Sequence, residues 1–445
     1  MGLLLKNTVL INEGSRKETD ILIQKDIIYK ISPQIPASNH KVIDLNGAFL
    51  LPGVIDDQVH FREPGLTHKG TIYSESAAAV SGGITSFMEM PNTKPAALTQ
   101  ELLNEKFLIA KRDSLANFSF FMGASNDNIE EVLKTNFNNI PGVKIFMGSS
   151  TGNMLVDNFF TLNNIFSKTS GLIAVHCEDE LIIRKNMLKA KLKYGENVPI
   201  TQHPIIRSHE ACLKSSSLAV ELARKHSSRL HVLHISTEKE LELFSNDVEL
   251  KYKKITSEVC VHHLSFNDSH YTERGSLIKW NPAVKTQKDQ QALWKGLLNN
   301  KLDIIATDHA PHTLNEKKQS YFNCPSGAPM VQHALPMMLE HTLKNNISIE
   351  RVVEKMCHAP ATCFNIQKRG YVREGYYADL VVVEPNVKWK VTKDNLFYLC
   401  GWSPLEGNEF SFKIKFTFVN GNLVYDNGHI NNSYRGNPLS FNRFI

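Results

Sequence analysis

His60, His176, His234 and Asp308 each stand at or just past the end of a short apolar run, in Val59-His60, Ile173-Ala174-Val175-His176, His231-Val232-Leu233-His234 and Ile304-Ile305-Ala306-Thr307-Asp308. Three imidazoles and a carboxylate are donor types that hold a divalent transition metal, and a metal so held makes water nucleophilic near neutral pH. A lone His is more often a satisfied polar residue than a ligand. A set of such groups, each ending a different strand, points to a metal site. Lys144 lies inside another run, Val143-Lys144-Ile145-Phe146. An ammonium is costly to bury, so this amine is expected to be paired or neutral. Buried and neutral, it can take up carbon dioxide to give a carbamate, an anionic bidentate group able to bridge two cations. The alternative is a lysine that snorkels or is salt-bridged.

The substrate side is read from the same strand ends. Period-two spacing puts Gln58, His60 and Arg62 on one face of an extended segment, so an amide, an imidazole and a guanidinium share one space. Arg62 presents a rigid fork suited to a carboxylate. Asn92 in Met90-Pro91-Asn92-Thr93, Asn281 in Lys279-Trp280-Asn281-Pro282 and His312 in Ala310-Pro311-His312 add polar tips. Together they imply a small anionic substrate with amide edges. His231 and His234 are three residues apart and should fall on opposite faces of a strand, so one of them is expected to be structural.

These residues need a scaffold that brings many strand ends together. Strands are predicted at 85–90, 118–122, 143–146, 172–176, 230–235, 255–260 and 303–306, with helices at 100–111 and 128–135 between the first of them. Repeated strand–helix alternation with apolar strands argues for an α/β fold, a (β/α)8 barrel whose chemistry sits at the strands' C-terminal ends. A doubly wound sheet is the alternative, but no Gly-x-Gly-x-x-Gly follows the first strand of the alternation. Short strands at 2–5, 9–11, 20–24, 27–31 and 41–44 precede it. Others follow at 371–372, 378–383, 413–419 and 423–425, with Asn420-Gly421 as a hairpin turn. The expected organisation is a small β-sandwich from both termini (1–51 and 371–445) around a barrel over 52–370, with an irregular polar tail from about Asn431.

The stretch Gln58-Val59-His60-Phe61-Arg62-Glu63-Pro64-Gly65 resembles the dihydroorotase branch of the amidohydrolase superfamily, with Gln58 where the first His of a His-x-His pair is expected. The likeness extends over nearly the whole chain, including Gly375-Tyr376-Tyr377-Ala378-Asp379-Leu380 and Gly401-Trp402-Ser403-Pro404-Leu405-Glu406-Gly407. It implies reversible, zinc-dependent cyclisation of N-carbamoyl-L-aspartate to dihydroorotate in pyrimidine synthesis. It implies one or two zinc ions per subunit on Gln58, His60, Lys144, His176, His234 and Asp308, with Lys144 carboxylated. The loop Gly148-Ser149-Ser150-Thr151-Gly152 lacks the Asp that some relatives use instead of that lysine. The pattern His-x-Ser-Thr selects His234 over His231, and Asp308, not His309, matches the last ligand. Metal-bound hydroxide would be the nucleophile and Asp308 the general acid and base. Arg62, Asn92, Asn281 and His312 would hold the substrate carboxylate and ring amides, helped by Ser326 and Gly327; His262-His263 would be supportive. Gln58 implies that the metal beside His60 is weak or absent.

The chain's 445 residues, 42% hydrophobic, are ample for such a core. A net charge of +5 with no basic run argues against nucleic-acid binding. Seven cysteines without a Cys-x-x-Cys pair read as reduced thiols of a cytoplasmic protein. No signal peptide or membrane span is expected; a homo-oligomer is possible. The rival readings are another cyclic amidase, such as a hydantoinase or allantoinase, and a non-catalytic dihydroorotase-like subunit.

Overall fold

The computed structural model describes residues 2–148 and 152–442. Ser149, Ser150 and Thr151 of the loop considered above lie outside the described residues. The first five strands, β1 (Leu3–Asn12), β2 (Ser15–Gln24), β3 (Ile27–Ser32), β4 (Lys41–Asp44) and β5 (Phe49–Pro52), come before any helix. The barrel strands follow. They are β6 (Val54–Val59), β7 (Ile84–Glu89), β8 (Asn117–Phe120), its continuation β9 (Met122–Gly123), β10 (Val143–Phe146), β11 (Ile173–His176), β12 (Leu230–Val232), β13 (Ile255–Cys260) and β14 (Ile304–Ala306). The last four are β15 (Leu380–Lys390), β16 (Glu409–Val419), β17 (Asn422–Asp426) and β18 (His429–Ile430).

The barrel strands pair in parallel in sequence order, β6-β7-β8 and then β9-β10-β11-β12-β13-β14. The ring closes where Val59 bridges His309 and His60 N donates to His309 O at 2.7 Å. Strands buried on both faces read as continuous apolar runs, as β10 and β11 do. Polar caps stop the crossover helices close to the mouth. Asp179 accepts from Ile182 N at 2.9 Å at the head of the helix Glu180–Tyr194, three residues after His176.

The chain ends meet in one hydrogen-bonded sheet, in the order β18-β17-β16-β15-β5-β1-β2-β3, with β4 also on β1. Its core, built from Leu5, Ile21, Leu50, Leu380 and Phe418 among others, is the interior of the terminal β-sandwich. The Asn420-Gly421 turn has φ of +48° and +74°, the paired positive values that a two-residue hairpin needs.

Several boundaries differ from expectation. The 118–122 strand breaks at Phe121, the helix at 128–135 shrinks to Ile129–Leu133, and the strand at 230–235 stops at Val232. No strand forms at 371–372. The polar tail is irregular, but it returns to the barrel. Leu439 N donates to Phe118 O at 2.8 Å, and buried Leu439 and Phe441 join the cluster that includes Ile55, Met88 and Ile304. Two apolar residues in a polar segment, without period, carry too little signal to predict that docking. Among the described residues no helix is long and apolar enough to cross a membrane.

Candidate active site

A cleft of about 800 Å³ opens at the C-terminal ends of the barrel strands. Gln58, His60, Arg62, Asn92, Lys144, His176, His234, Asn281, Asp308, His312, Ser326 and Gly327 all line it. The size suits a small-molecule site.

Backbone conformation explains part of this convergence. Arg62, His234 and Asp308 adopt positive φ of 73°, 43° and 48°. Such values are unfavourable for residues with a Cβ and gather at functional sites. They also overturn the parity argument for His231 and His234. β12 ends at Val232, and the left-handed turn at His234 swings that ring to the mouth although His231 also points inward. His231 Nε2 lies 3.3 Å from Asp57 and 3.3 Å from Glu258, reaching across the barrel to β6. Burial alone would lower its pKa, but Cys363, Asp57 and Glu258 raise it well above the usual imidazole value. The ring thus sits between two buried acid side chains below the mouth, of which Glu258 is itself pushed well above the usual carboxylate range, by burial and then by Asp57. Glu258 Oε1 accepts from His234 N at 3.1 Å, so this layer supports the His234 turn.

The donor atoms are arranged for a cation. Glu178 would be raised by burial, but Arg207 and His176 outweigh that and bring it to about 2, so it is a carboxylate. It lies 3.1 Å from His176 Nε2, which must then carry the proton and donate. His176 Nδ1 is left with its lone pair, 2.9 Å from His234 Nε2. Asn92 Oδ1 accepts from His60 Nδ1 at 2.7 Å, which leaves His60 Nε2 facing Asp308 Oδ1 at 3.2 Å, lone pair toward carboxylate. Partners of this kind fix the tautomer of a metal-ligating His. Lys144, 1% exposed, has no hydrogen-bond partner on Nζ among the described residues. Burial lowers its pKa to about 7, so its amine is readily neutral. An orphaned buried amine beside two converging imidazoles and a carboxylate fits a metal held through nitrogen and oxygen donors.

Gln58 lies against Asp308. Its Nε2, not its Oε1, faces Asp308 Oδ1, at 3.2 Å.

The other wall is cationic. Arg62 Nε donates to Pro311 O at 2.9 Å, which fixes the guanidinium. Its Nη2 lies 2.9 Å from His312 Nε2, while Lys69 Nζ lies 3.0 Å from His312 Nδ1. Burial, then Arg62 and Lys69, keep His312 well below the usual imidazole pKa, so the ring is neutral. A neutral imidazole has one lone pair and here faces two cationic donors. Lys69 is paired with Glu316 at 2.8 Å and His312 Nε2 lies 3.1 Å from Ser326 O, so Arg62, held by Pro311 O, is the cation of this corner that a substrate carboxylate would meet. His263 Nε2 donates to Pro282 O at 3.1 Å and His262 stacks on Trp280 at 4.1 Å, so this pair backs the Asn281 turn.

Two buried lysines fix the last loop. Lys279 Nζ donates to Tyr321 O at 2.7 Å, and Lys317 Nζ donates to Pro325 O at 2.9 Å and Gly327 O at 2.8 Å. Gly327 has φ of +124°, and a Cβ there would lie 2.6 Å from Ala310 O. Gly327→Ala is thus expected to cost about 1–3 kcal/mol in backbone strain, with further cost from the clash. It should move Ser326 and raise KM several-fold more than it lowers kcat, as steady-state kinetics would read.

The sequence reading missed Asp57, Glu258 and Cys260, which join His231, His262 and His263 in two buried groups with metal-capable side chains. It also missed Lys69, Glu178 and Arg207 at the cleft. The acids Asp57 and Glu258, each inside an apolar strand, were a visible signal of the kind used for Lys144. Lys69, in the polar segment Leu66-Thr67-His68-Lys69, gave none.

The chain belongs to the amidohydrolase family, whose sequence profile matches residues 49–424, and a metal cofactor is what that membership implies. Within that class it is similar to dihydroorotases. It is 32% identical to the dihydroorotase of Pyrococcus furiosus over 418 residues, 94% of this chain and 91% of that protein. It is 31% identical to that of Carboxydothermus hydrogenoformans, over 96% of this chain and 98% of that protein. Among solved structures, the L-hydantoinase (dihydropyrimidinase) of Arthrobacter aurescens superposes with a TM-score of 0.90 at 27% identity, covering 96% of this chain and 97% of that one. A D-hydantoinase from a Thermus species shares the fold, with a TM-score of 0.88 at 20% identity.

Proposed function

We propose that the protein is a dihydroorotase of the cytoplasm, interconverting N-carbamoyl-L-aspartate and dihydroorotate. The observation that carries the reading is the pairing of two walls in one cleft, the orphaned Lys144 amine with His60, His176, His234 and Asp308 opposite the corner formed by Arg62 and His312. The likeness to curated dihydroorotases over nearly the full chain supports it.

Lys144 (carboxylated), His176 and His234 would hold zinc, with His60 and Asp308 beside them. Bound there, zinc polarises a carbonyl and acidifies water. Arg62 and His312 grip the ring carboxylate, and Lys69 adds charge behind them. Asn92, Asn281 and the backbone of Ser326 and Gly327 take the ring amide edges. Asp308 accepts a proton from the attacking water and delivers it to the ring nitrogen as the amide C–N bond breaks. In the cyclising direction the same carboxylate takes that proton back.

The test is hydrolysis of dihydroorotate by the purified protein supplied with zinc and bicarbonate. Turnover is expected; silence toward dihydroorotate, hydantoin and allantoin alike would instead favour a non-catalytic subunit. Arg62→Met separates the substrate classes. Losing a charge-assisted contact of about 1.5–3 kcal/mol should weaken kcat/KM for dihydroorotate by roughly tenfold to a hundredfold. Any activity on an uncharged hydantoin should hold steady, and an equal loss on both would count against the carboxylate role.

A further inference from the structure

The amide of Gln58 is oriented by the chemistry of its neighbours. Its Nε2 lies 3.2 Å from Asp308 Oδ1, and its Oε1 faces Cys260 Sγ at 3.6 Å. A carboxylate only accepts, so the opposite orientation would set two acceptors together at Asp308, while the Cys260 thiol can donate to the amide oxygen that faces it. Gln58 is 2% exposed and Cys260 is fully buried, so bulk water does not relieve that conflict. The only atom through which Gln58 could ligate a metal is therefore turned to the thiol. Meanwhile Asp308 Oδ1 has two neighbours, the Gln58 amide and His60 Nε2, both at 3.2 Å.

Resting on the site as read above, we propose that Gln58 is a positioning residue for Asp308. Its N–H holds the carboxylate in the orientation that a second metal ion would otherwise impose, Cys260 fixes the amide, and one metal ion per chain, at Lys144, His176 and His234, is firmly held. The division of labour is then simple. The lysine and the two imidazoles bind the ion, while an organic donor replaces the second ion as the group that aims the acid–base carboxylate. The His60 imidazole, held by Asn92, remains the one strong donor on that side, which is too few for a second tight site.

The experiment counts zinc by plasma mass spectrometry after loading with zinc and dialysis against zinc-free buffer, with kcat and KM for dihydroorotate measured on the same samples. Wild type and Gln58→Met should each retain one zinc per chain. Gln58→Met should lose about tenfold to a hundredfold in kcat, with KM within about twofold. Gln58→His should retain two. Cys260→Ser keeps a donor and should match wild type, whereas Cys260→Val frees the amide and should lower kcat with zinc unchanged. The proposal is overturned if Gln58→Met loses zinc, if wild type retains two, if Gln58→His gains none, or if kcat of Gln58→Met equals wild type. Should wild type not turn over dihydroorotate, the functional reading fails, while the zinc counts still decide this proposal.

Discussion

Asp308→Ala is expected to lower kcat by about 10²–10⁴-fold, the range associated with a positioned acid–base group. Asp308 lies at the point where the Gln58 amide and the His60 imidazole meet, at the mouth of the cleft. Glu316, the carboxylate of the cationic corner, is paired with Lys69. Glu178 is engaged by His176 and Arg207, and Glu180 by Arg184. Because Asp308 sits after β14 rather than within it, the truncation should leave the melting temperature close to wild type. KM should change much less than kcat, since the carboxylate grip lies with Arg62 and His312. A variant with near-normal turnover would remove Asp308 from the mechanism.

The second large effect concerns Lys144, and it has two opposite signs. Lys144→Met should abolish retained zinc and lower turnover by at least as much as the loss of Asp308, because the amine is the polar β10 group that lines the cleft. In metal-free protein the same change should leave stability equal or higher. The wild-type Nζ is buried without a hydrogen bond among the described residues, and an unsatisfied buried polar group costs about 1–3 kcal/mol that methionine does not incur. Differential scanning calorimetry of both proteins after chelation reads the sign. A methionine variant that is both less stable without metal and equally rich in zinc would mean that the lysine is an ordinary core residue.

Much of this site was legible because short apolar runs mark barrel strands whatever encloses them. His60, His176 and Asp308 follow such runs, and a parallel barrel brings all of its strand ends to one mouth. Parity was a poorer guide. It holds for Gln58, His60 and Arg62, which share the cleft, and fails for His231 and His234 because the strand ends at Val232 and His234 is itself left-handed. Alternation describes an extended chain and cannot anticipate where extension stops. The amide orientation of Gln58 was out of reach for a different reason. It depends on Cys260, 202 residues away in sequence, and side-chain polarity across a barrel leaves no local trace. The same holds for the lysines at 279 and 317, whose carbonyl partners are set by loop geometry.

The seam between the two ends of the chain has a consequence for synthesis. β5 pairs antiparallel with β15, Leu50 opposite Val382 and Pro52 opposite Leu380. While the polypeptide emerges from the ribosome, that edge of the first five strands must stay open until roughly 330 further residues have been made, at about 5–20 residues per second. An unpaired edge is a template for wrong partners. The interval, tens of seconds at the slower rates, is when a nascent chain of this design most needs a chaperone. Slowing translation over the last barrel strands should therefore lower the soluble yield more than slowing it after β15 has emerged.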